Sequence, residues 1–173
     1  MRFDLLKILV VDDNHHMRSI LLEVLRAIGV RDVYEAGNGA EALQAMRTRA
    51  VDVVLTDLAM EPIDGIEFVR LLRNAPDSPN QMIPVIMVTG HSTERRVKEA
   101  RDAGVNEFLA KPVTARGVLE RIHEVVDHAR AYVRCDDYFG PDRRRKEEAG
   151  YAGPRRRASD NTGNAPGGDT PQT

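Results

Sequence analysis

Lys7-Ile8-Leu9-Val10-Val11-Asp12-Asp13 sets four consecutive aliphatic residues directly before two acids. An unbroken apolar run of this length, rather than an apolar/polar alternation, is what a strand buried on both faces requires. The wider stretch from Leu5 to Val11 resembles the apolar centre of a signal peptide. Lys7 interrupts it, however, and Asp12-Asp13 stand where a small-residue cleavage site would fall. The stretch therefore reads as a buried strand.

Similar runs recur at residues 33–36, 51–56, 85–89 and 107–110. Between them the period changes. Met17, Ile20, Leu21, Val24, Leu25 and Ile28 form a single helical stripe, and Gly29 follows as a C′ residue. Leu119, Ile122, Val126, Ala129 and Val133 form a second stripe in the last helix. The segment 93–103 offers only Val97, Ala100 and Ala103 among charged neighbours, so it should pack weakly and be the most mobile helix. Strict strand–helix alternation implies a doubly wound α/β fold with a five-stranded parallel sheet and right-handed crossovers. Ligands in such sheets sit beyond the carboxyl ends of the strands.

Those ends carry chemistry. The first strand ends in Asp12-Asp13, the third in Asp57, and the fourth in Thr89-Gly90, while Lys111-Pro112 follow the fifth. Each element has a plain structural reading. An Asp pair or a lone Asp after a strand often caps a helix, Thr89 suits a strand, and Lys111 suits a solvated loop. Together, three carboxylates, a hydroxyl and an ammonium on one rim call for more. Crowded carboxylates demand a cation, and hard oxygen ligands with room for waters suit Mg2+. Cation and lysine would stabilise a transferring phosphoryl group, with a carboxylate as nucleophile.

These stretches, with Glu35-Ala36-Gly37-Asn38-Gly39 and Phe108-Leu109-Ala110-Lys111-Pro112, resemble the receiver domain of bacterial response regulators. The likeness is to the stand-alone, CheY-like type, a flavodoxin-like fold; it runs from about Lys7 to Val133 and implies a receiver domain over residues 1–133. The resemblance implies that Asp57 is the phosphoacceptor, and that Asp12, Asp13, Asp57 and the backbone carbonyl of Ala59 hold Mg2+. It implies that Thr89 and Lys111 contact the phosphoryl oxygens, and that Phe108 is the aromatic residue that turns inward. A cis peptide before Pro112 is expected too. Ala59 and His91, two places beyond Asp57 and Thr89, would tune dephosphorylation. One departure is Met60-Glu61-Pro62, where the family runs Met-Pro; it leaves the loop conformation open. The implied partners are a sensor histidine kinase or histidine phosphotransfer protein as donor and an output protein as receiver of the signal. The implied protein is cytoplasmic, a monomer or a phosphorylation-dependent dimer, and no enzyme beyond its own phosphorylation and dephosphorylation.

The chain has 173 residues, with 25 Lys and Arg against 27 Asp and Glu, so its global charge points to neither nucleic acid nor membrane. No apolar run approaches the roughly 20 residues of a membrane span. A single cysteine, Cys135, excludes an internal disulfide. Residues 134–173 are rich in Gly, Pro and Arg and poor in large apolar side chains, and read as a disordered tail. Within it Tyr138-Phe139-Gly140-Pro141-Asp142-Arg143-Arg144-Arg145 is echoed by Tyr151-Ala152-Gly153-Pro154-Arg155-Arg156-Arg157, a repeat that reads either as a docking segment or as one that folds back on the receiver. Two alternatives stay open. An Asp-nucleophile phosphatase of the haloacid-dehalogenase kind would want Asp-x-Asp where this chain has Asp12-Asp13-Asn14. A phospho-regulated nucleic-acid binder would work through the Arg-rich tail, with strong salt dependence. His15 and His16 sit at the start of the first helix and read as solvent-facing rather than as metal ligands or phosphate donors.

Overall fold

The computed structural model describes residues 2–90 and 93–143. Five parallel strands, β1 (Lys7–Val11), β2 (Asp32–Ala36), β3 (Val53–Asp57), β4 (Val85–Thr89) and β5 (Glu107–Ala110), lie in the order β2-β1-β3-β4-β5. Helices α1 (His15–Ala27), α2 (Gly39–Thr48), α3 (Gly65–Asn74), α4 (Glu94–Ala103) and α5 (Ala115–Asp127) alternate with them. The order reverses between β1 and β3, so a crevice opens at the carboxyl ends of those two strands. The expected third strand begins two residues late, because the Asp52 carboxylate is used instead to accept the Lys7 amide at 2.9 Å.

The pleat explains the apolar runs. Leu9 and Val11 pack with Val54, Phe68, Leu72 and Ala100 on the face covered by α2, α3 and α4. Ile8 and Val10 pack with Leu21, Leu25, Leu55 and Ile122 on the face covered by α1 and α5. Both faces of the central strands are dry, and each such aliphatic side chain contributes about 1.5–3 kcal/mol by burial. Gly29 follows the α1 C-cap with φ +99°, the left-handed conformation expected of a C′ glycine. Among its side chains α4 buries only Ala100 and Ala103. In α5 the stripe is rotated from expectation: Val118, Ile122 and Val125 are buried, whereas Leu119 is exposed. The helix also stops at Asp127, so Ala129 and Val133 do not belong to it.

The chain does not lose its structure at residue 134. β6 (Tyr132–Cys135) and β7 (Tyr138–Pro141) form an antiparallel hairpin across the expected boundary, pairing Tyr132 with Pro141 and Cys135 with Tyr138. The compact unit that contains the sheet runs to Arg143. The hairpin is held from below by Arg73, which is fully buried at the end of α3. Its guanidinium donates to the carbonyls of Gln81 at 2.8 Å, Ile83 at 2.8 Å and Gly104 at 3.1 Å, to Asn106 Oδ1 at 3.1 Å, and to the Tyr132 hydroxyl at 3.3 Å. Tyr132 in turn donates to the Ile83 carbonyl at 3.1 Å. The first copy of the Tyr-x-Gly-Pro repeat is therefore strand β7, folded back on its own domain. The second copy and the rest of residues 144–173 lie outside the described residues.

Candidate functional site

Two local devices place the acids at the crevice. Asn14 caps α1, its side chain accepting the His16 and Met17 amides at 2.9 and 3.3 Å, so the chain turns immediately after Asp12-Asp13. Asp64 caps α3 by accepting the Glu67 amide at 2.9 Å. Gly65, the first residue of α3, lets that helix lie against the end of β3: its amide donates to the Leu58 carbonyl at 3.0 Å, and a Cβ there would collide with the Asp57 carbonyl.

At the crevice Lys111 Nζ lies 2.6 Å from Asp57 Oδ1 and 3.9 Å from Asp12 Oδ2. The other Asp57 oxygen accepts the Ala59 amide at 3.0 Å. Asp12 Oδ1 accepts the Asn14 amide at 2.8 Å, while Arg18 reaches from α1 to the Asp12 carbonyl at 2.8 Å. Both acids are almost wholly buried, at 1 % exposure for Asp12 and 6 % for Asp57. Asp12 Oδ2 is buried with no hydrogen-bond partner. Its carboxyl is held above the usual range, chiefly by desolvation and then by the nearby Asp57 charge, against the opposing pull of the Asn14 amide and of Lys111.

Asp13 is not drawn into this group. It is exposed, and its Oδ2 faces the Glu61 amide at 3.4 Å across the loop that carries the Met60-Glu61-Pro62 departure. Glu61-Pro62 and Lys111-Pro112 are both cis, the second as expected. Among the described residues no three His, Cys, Asp or Glu side chains form a ready-made metal cage. Two buried carboxylates with one ammonium are nonetheless a fit for a hard divalent ion, because Mg2+ is commonly held by one or two carboxylates and keeps several waters. Thr89 is half-buried at the end of β4, and its carbonyl accepts the Lys111 amide at 2.8 Å, which ties the fourth and fifth strand ends together. Phe108 is half-buried against the α2/α3/α4-side core. His15 and His16 are exposed on α1, as expected, and His91 lies outside the described residues.

Sequence reasoning missed Arg96. From α4 its guanidinium reaches the α3 cap Asp64 at 2.8 Å and its own helix neighbour Glu99 at 3.1 Å. Burial raises the Asp64 pKa, but hydrogen bonds from Arg96 and the Glu67 amide outweigh it, so the carboxyl sits below its usual range.

A doubly wound sheet of order 2-1-3-4-5, with buried acids and a lysine at its switch point, defines an α/β protein of the flavodoxin-like class. The chain belongs to the response regulator receiver domain family, whose model matches residues 8–123. It is 35 % identical over 122 residues to the chemotaxis protein CheY of Pseudomonas aeruginosa, covering 70 % of this chain and 97 % of that protein. It is 36 % identical over 122 residues to the chemotaxis protein CheY1 of Helicobacter pylori, with the same coverage. Among solved structures, Vibrio cholerae CheY4 superposes with a TM-score of 0.64 at 28 % identity, over 70 % of this chain and 98 % of that one. CheY-like receiver domains are signalling proteins rather than ordinary enzymes; they interact with kinases and output proteins and generally bind Mg2+ at the acidic pocket. No described helix is long and apolar enough to cross a membrane.

Proposed function

We propose that this chain is a single-domain response regulator whose Asp57 takes a phosphoryl group from a phosphohistidine on a sensor kinase or histidine phosphotransfer protein. The observation that carries this reading is the charge imbalance at the crevice: one ammonium, Lys111, serves two buried carboxylates, and Asp12 Oδ2 is left without a hydrogen-bond partner. Such a pocket attracts a divalent cation. Asp12 and Asp57 would hold Mg2+ with waters and the Ala59 carbonyl, and Asp13 would act from the rim.

An Asp57 carboxylate oxygen attacks the phosphorus, the phosphorus–nitrogen bond breaks, and the donor imidazole leaves with its electron pair. Lys111, now bonded to Asp57 Oδ1, moves its ammonium onto a phosphoryl oxygen as that carboxylate charge is consumed. Mg2+, when bound, supplies shielding of the charge on the transferring group. The product adds about −1.5 to −2 charges. The Thr89 hydroxyl can then donate to a phosphoryl oxygen, and Phe108 follows it inward. The altered surface binds an output protein in the cytoplasm, where Cys135 stays reduced. Ala59 and His91 would set the lifetime of the acyl phosphate. The family match favours neither an Asp-nucleophile phosphatase nor a nucleic-acid binder.

Acetyl phosphate with Mg2+ tests the reading. Wild type should label at one residue, and both Asp57→Asn and chelation by EDTA should abolish labelling. Undiminished labelling of the Asn variant at another residue would sink the assignment.

A further inference from the structure

Helix α4 is held differently at its two ends. Its buried side chains, Ala100 and Ala103, both lie in the second half. That end is also gripped from outside the helix. Gly104, its C-cap at φ +101°, gives its carbonyl to the buried Arg73 through Nε at 3.2 Å and Nη2 at 3.1 Å. The hairpin closes over the same point. A Cβ on Gly140 would lie 2.8 Å from Gly104 Cα, and one on Gly104 would lie 2.9 Å from the Phe139 carbonyl oxygen, so both positions require glycine for backbone to meet backbone. Arg143, stacked 3.8 Å over the Tyr138 ring, pairs with Asp102 of α4 at 2.9 Å. The first half of α4 buries no side chain. Among the described residues its ion pair to the rest of the domain is Arg96 on Asp64, at the α3 cap seven residues beyond Asp57.

We infer that α4 is a hinged lever. The C-terminal hairpin, which lies beyond the residues matched by the family model, fixes the helix at its C-terminal end, and the Arg96–Asp64 pair is the latch that holds its free end to the acceptor loop. The asymmetry is physical. The fixed end combines close backbone packing, a buried guanidinium and a stacked, ion-paired arginine. Among the described residues the free end is tied by one ion pair whose two side chains are each about one-third exposed, an interaction weak enough to open on demand. Opening the latch lets the first half of α4 swing while Gly104 stays in place. The consequence for signalling rests on the proposed phosphoacceptor role of Asp57; the mechanical asymmetry does not.

Hydrogen exchange on the full chain without phosphodonor reads the asymmetry directly. Arg96→Gln should speed exchange of amides 97–99 roughly two- to fivefold and leave 101–105 unchanged, the size expected for a part-exposed ion pair. Arg143→Gln should speed 101–105 by a similar factor, and Gly140→Val by more. If Gly140→Val does not fold, Arg143→Gln alone decides the hinge. Equal loosening of both ends by Arg96→Gln, or unchanged 101–105 amides in the hairpin variants, overturns the lever. In the second arm, Arg96→Gln should label with acetyl phosphate roughly two- to fivefold faster than wild type. An unchanged rate beside loosened 97–99 amides removes the latch from switching. Failure of wild type itself to label would defeat the phosphoacceptor reading instead, and the exchange pattern would still judge the lever.

Discussion

The two ends of the sheet solve opposite electrostatic problems. At the carboxyl end Asp12 and Asp57 are buried around one ammonium, and a carboxylate oxygen is left unsatisfied. At the amino end one cation, Arg73, is buried without a carboxylate, and each of its three nitrogens donates to a carbonyl, an amide oxygen or a hydroxyl. Burial pushes the guanidinium down from its usual pKa and the Tyr132 phenol up from its own, yet every polar atom of both side chains is hydrogen-bonded. Unsatisfied charge is a cost the fold carries where a ligand is to bind; satisfied charge is structure. The comparison therefore makes a directional claim. Removing charge from the upper end should stabilise the metal-free fold, and removing it from the lower end should unfold it.

The largest effect belongs to Arg73→Met. The substitution keeps most of the volume but orphans the carbonyls of Gln81 and Gly104 and weakens the shell around Ile83 and Asn106. Each buried orphan costs about 1–3 kcal/mol, partly offset by relief of the buried charge, so a loss of about 3 kcal/mol is expected in urea unfolding. A variant as stable as wild type would break the comparison, because Arg73 would then be no structural element.

Much of the upper end was legible in the sequence and almost none of the lower. Asp12, Asp57, Thr89 and Lys111 each stand where an apolar run stops, so locating the runs located the residues, and alternation alone implied that the ends meet. Arg73 carries no such mark. It lies in the last turn of α3, where a basic residue suits the helix dipole and reads as solvent-facing. Its burial depends on Gly104, Asn106 and Tyr132, which are 31, 33 and 59 residues away in the chain. The hairpin had a faint signal. Tyr132-Val133 and Tyr138-Phe139 flank the two-residue connection Asp136-Asp137, but without the glycine that usually marks such a turn, and the arginines beyond dominate the composition. In α5 the choice between Leu119 and Val118 was a rotation of one residue about a shared Ile122, which helical period alone does not decide. Arg96 was hidden for a related reason: its helix is charged everywhere but a narrow stripe of Val97, Ala100 and Ala103, and only the fold brings it to Asp64.

A gain is expected from Asp12→Asn. The substitution removes a desolvated charge whose second oxygen has no hydrogen-bond partner, so the metal-free fold should gain about 1–2 kcal/mol at neutral pH. The sign with pH is fixed by the raised carboxyl. Between its ordinary value of 3.8 and its higher value in the fold, the unfolded chain has released a proton that the folded chain keeps. Wild-type stability on this group's account is thus full below that window and falls as pH rises through it. The advantage of the Asn variant should grow over the same window. Added Mg2+ should reverse the ranking by stabilising wild type alone. Melting curves in EDTA and in Mg2+ across a pH series check all of this, and an Asn variant less stable than wild type in EDTA would mean that the upper end is as well satisfied as the lower.

The smallest effect sharpens the comparison most, because it removes a single oxygen. Tyr132→Phe keeps the ring, which stands 5.9 Å from Phe139 and 5.2 Å from the Arg73 guanidinium, and deletes only the hydroxyl. That hydroxyl donates to the Ile83 carbonyl and accepts from Arg73 and from the Asn106 side-chain amide nitrogen. Ile83 keeps a second donor in Arg73 at 2.8 Å and Arg73 keeps four acceptors, but the buried Asn106 amide nitrogen loses the hydroxyl it donates to at 3.2 Å. The cost should therefore be about 1–1.5 kcal/mol, because one neutral amide donor loses its partner while every carbonyl and the guanidinium keep theirs. Because the hydroxyl lies at the opposite end of the sheet from Asp57, acetyl phosphate labelling should proceed at the wild-type rate in the folded fraction. A loss near that of Arg73→Met would show that Tyr132 and Arg73 act as one cooperative unit, and a double-mutant cycle between them would then return a coupling well above the single bond.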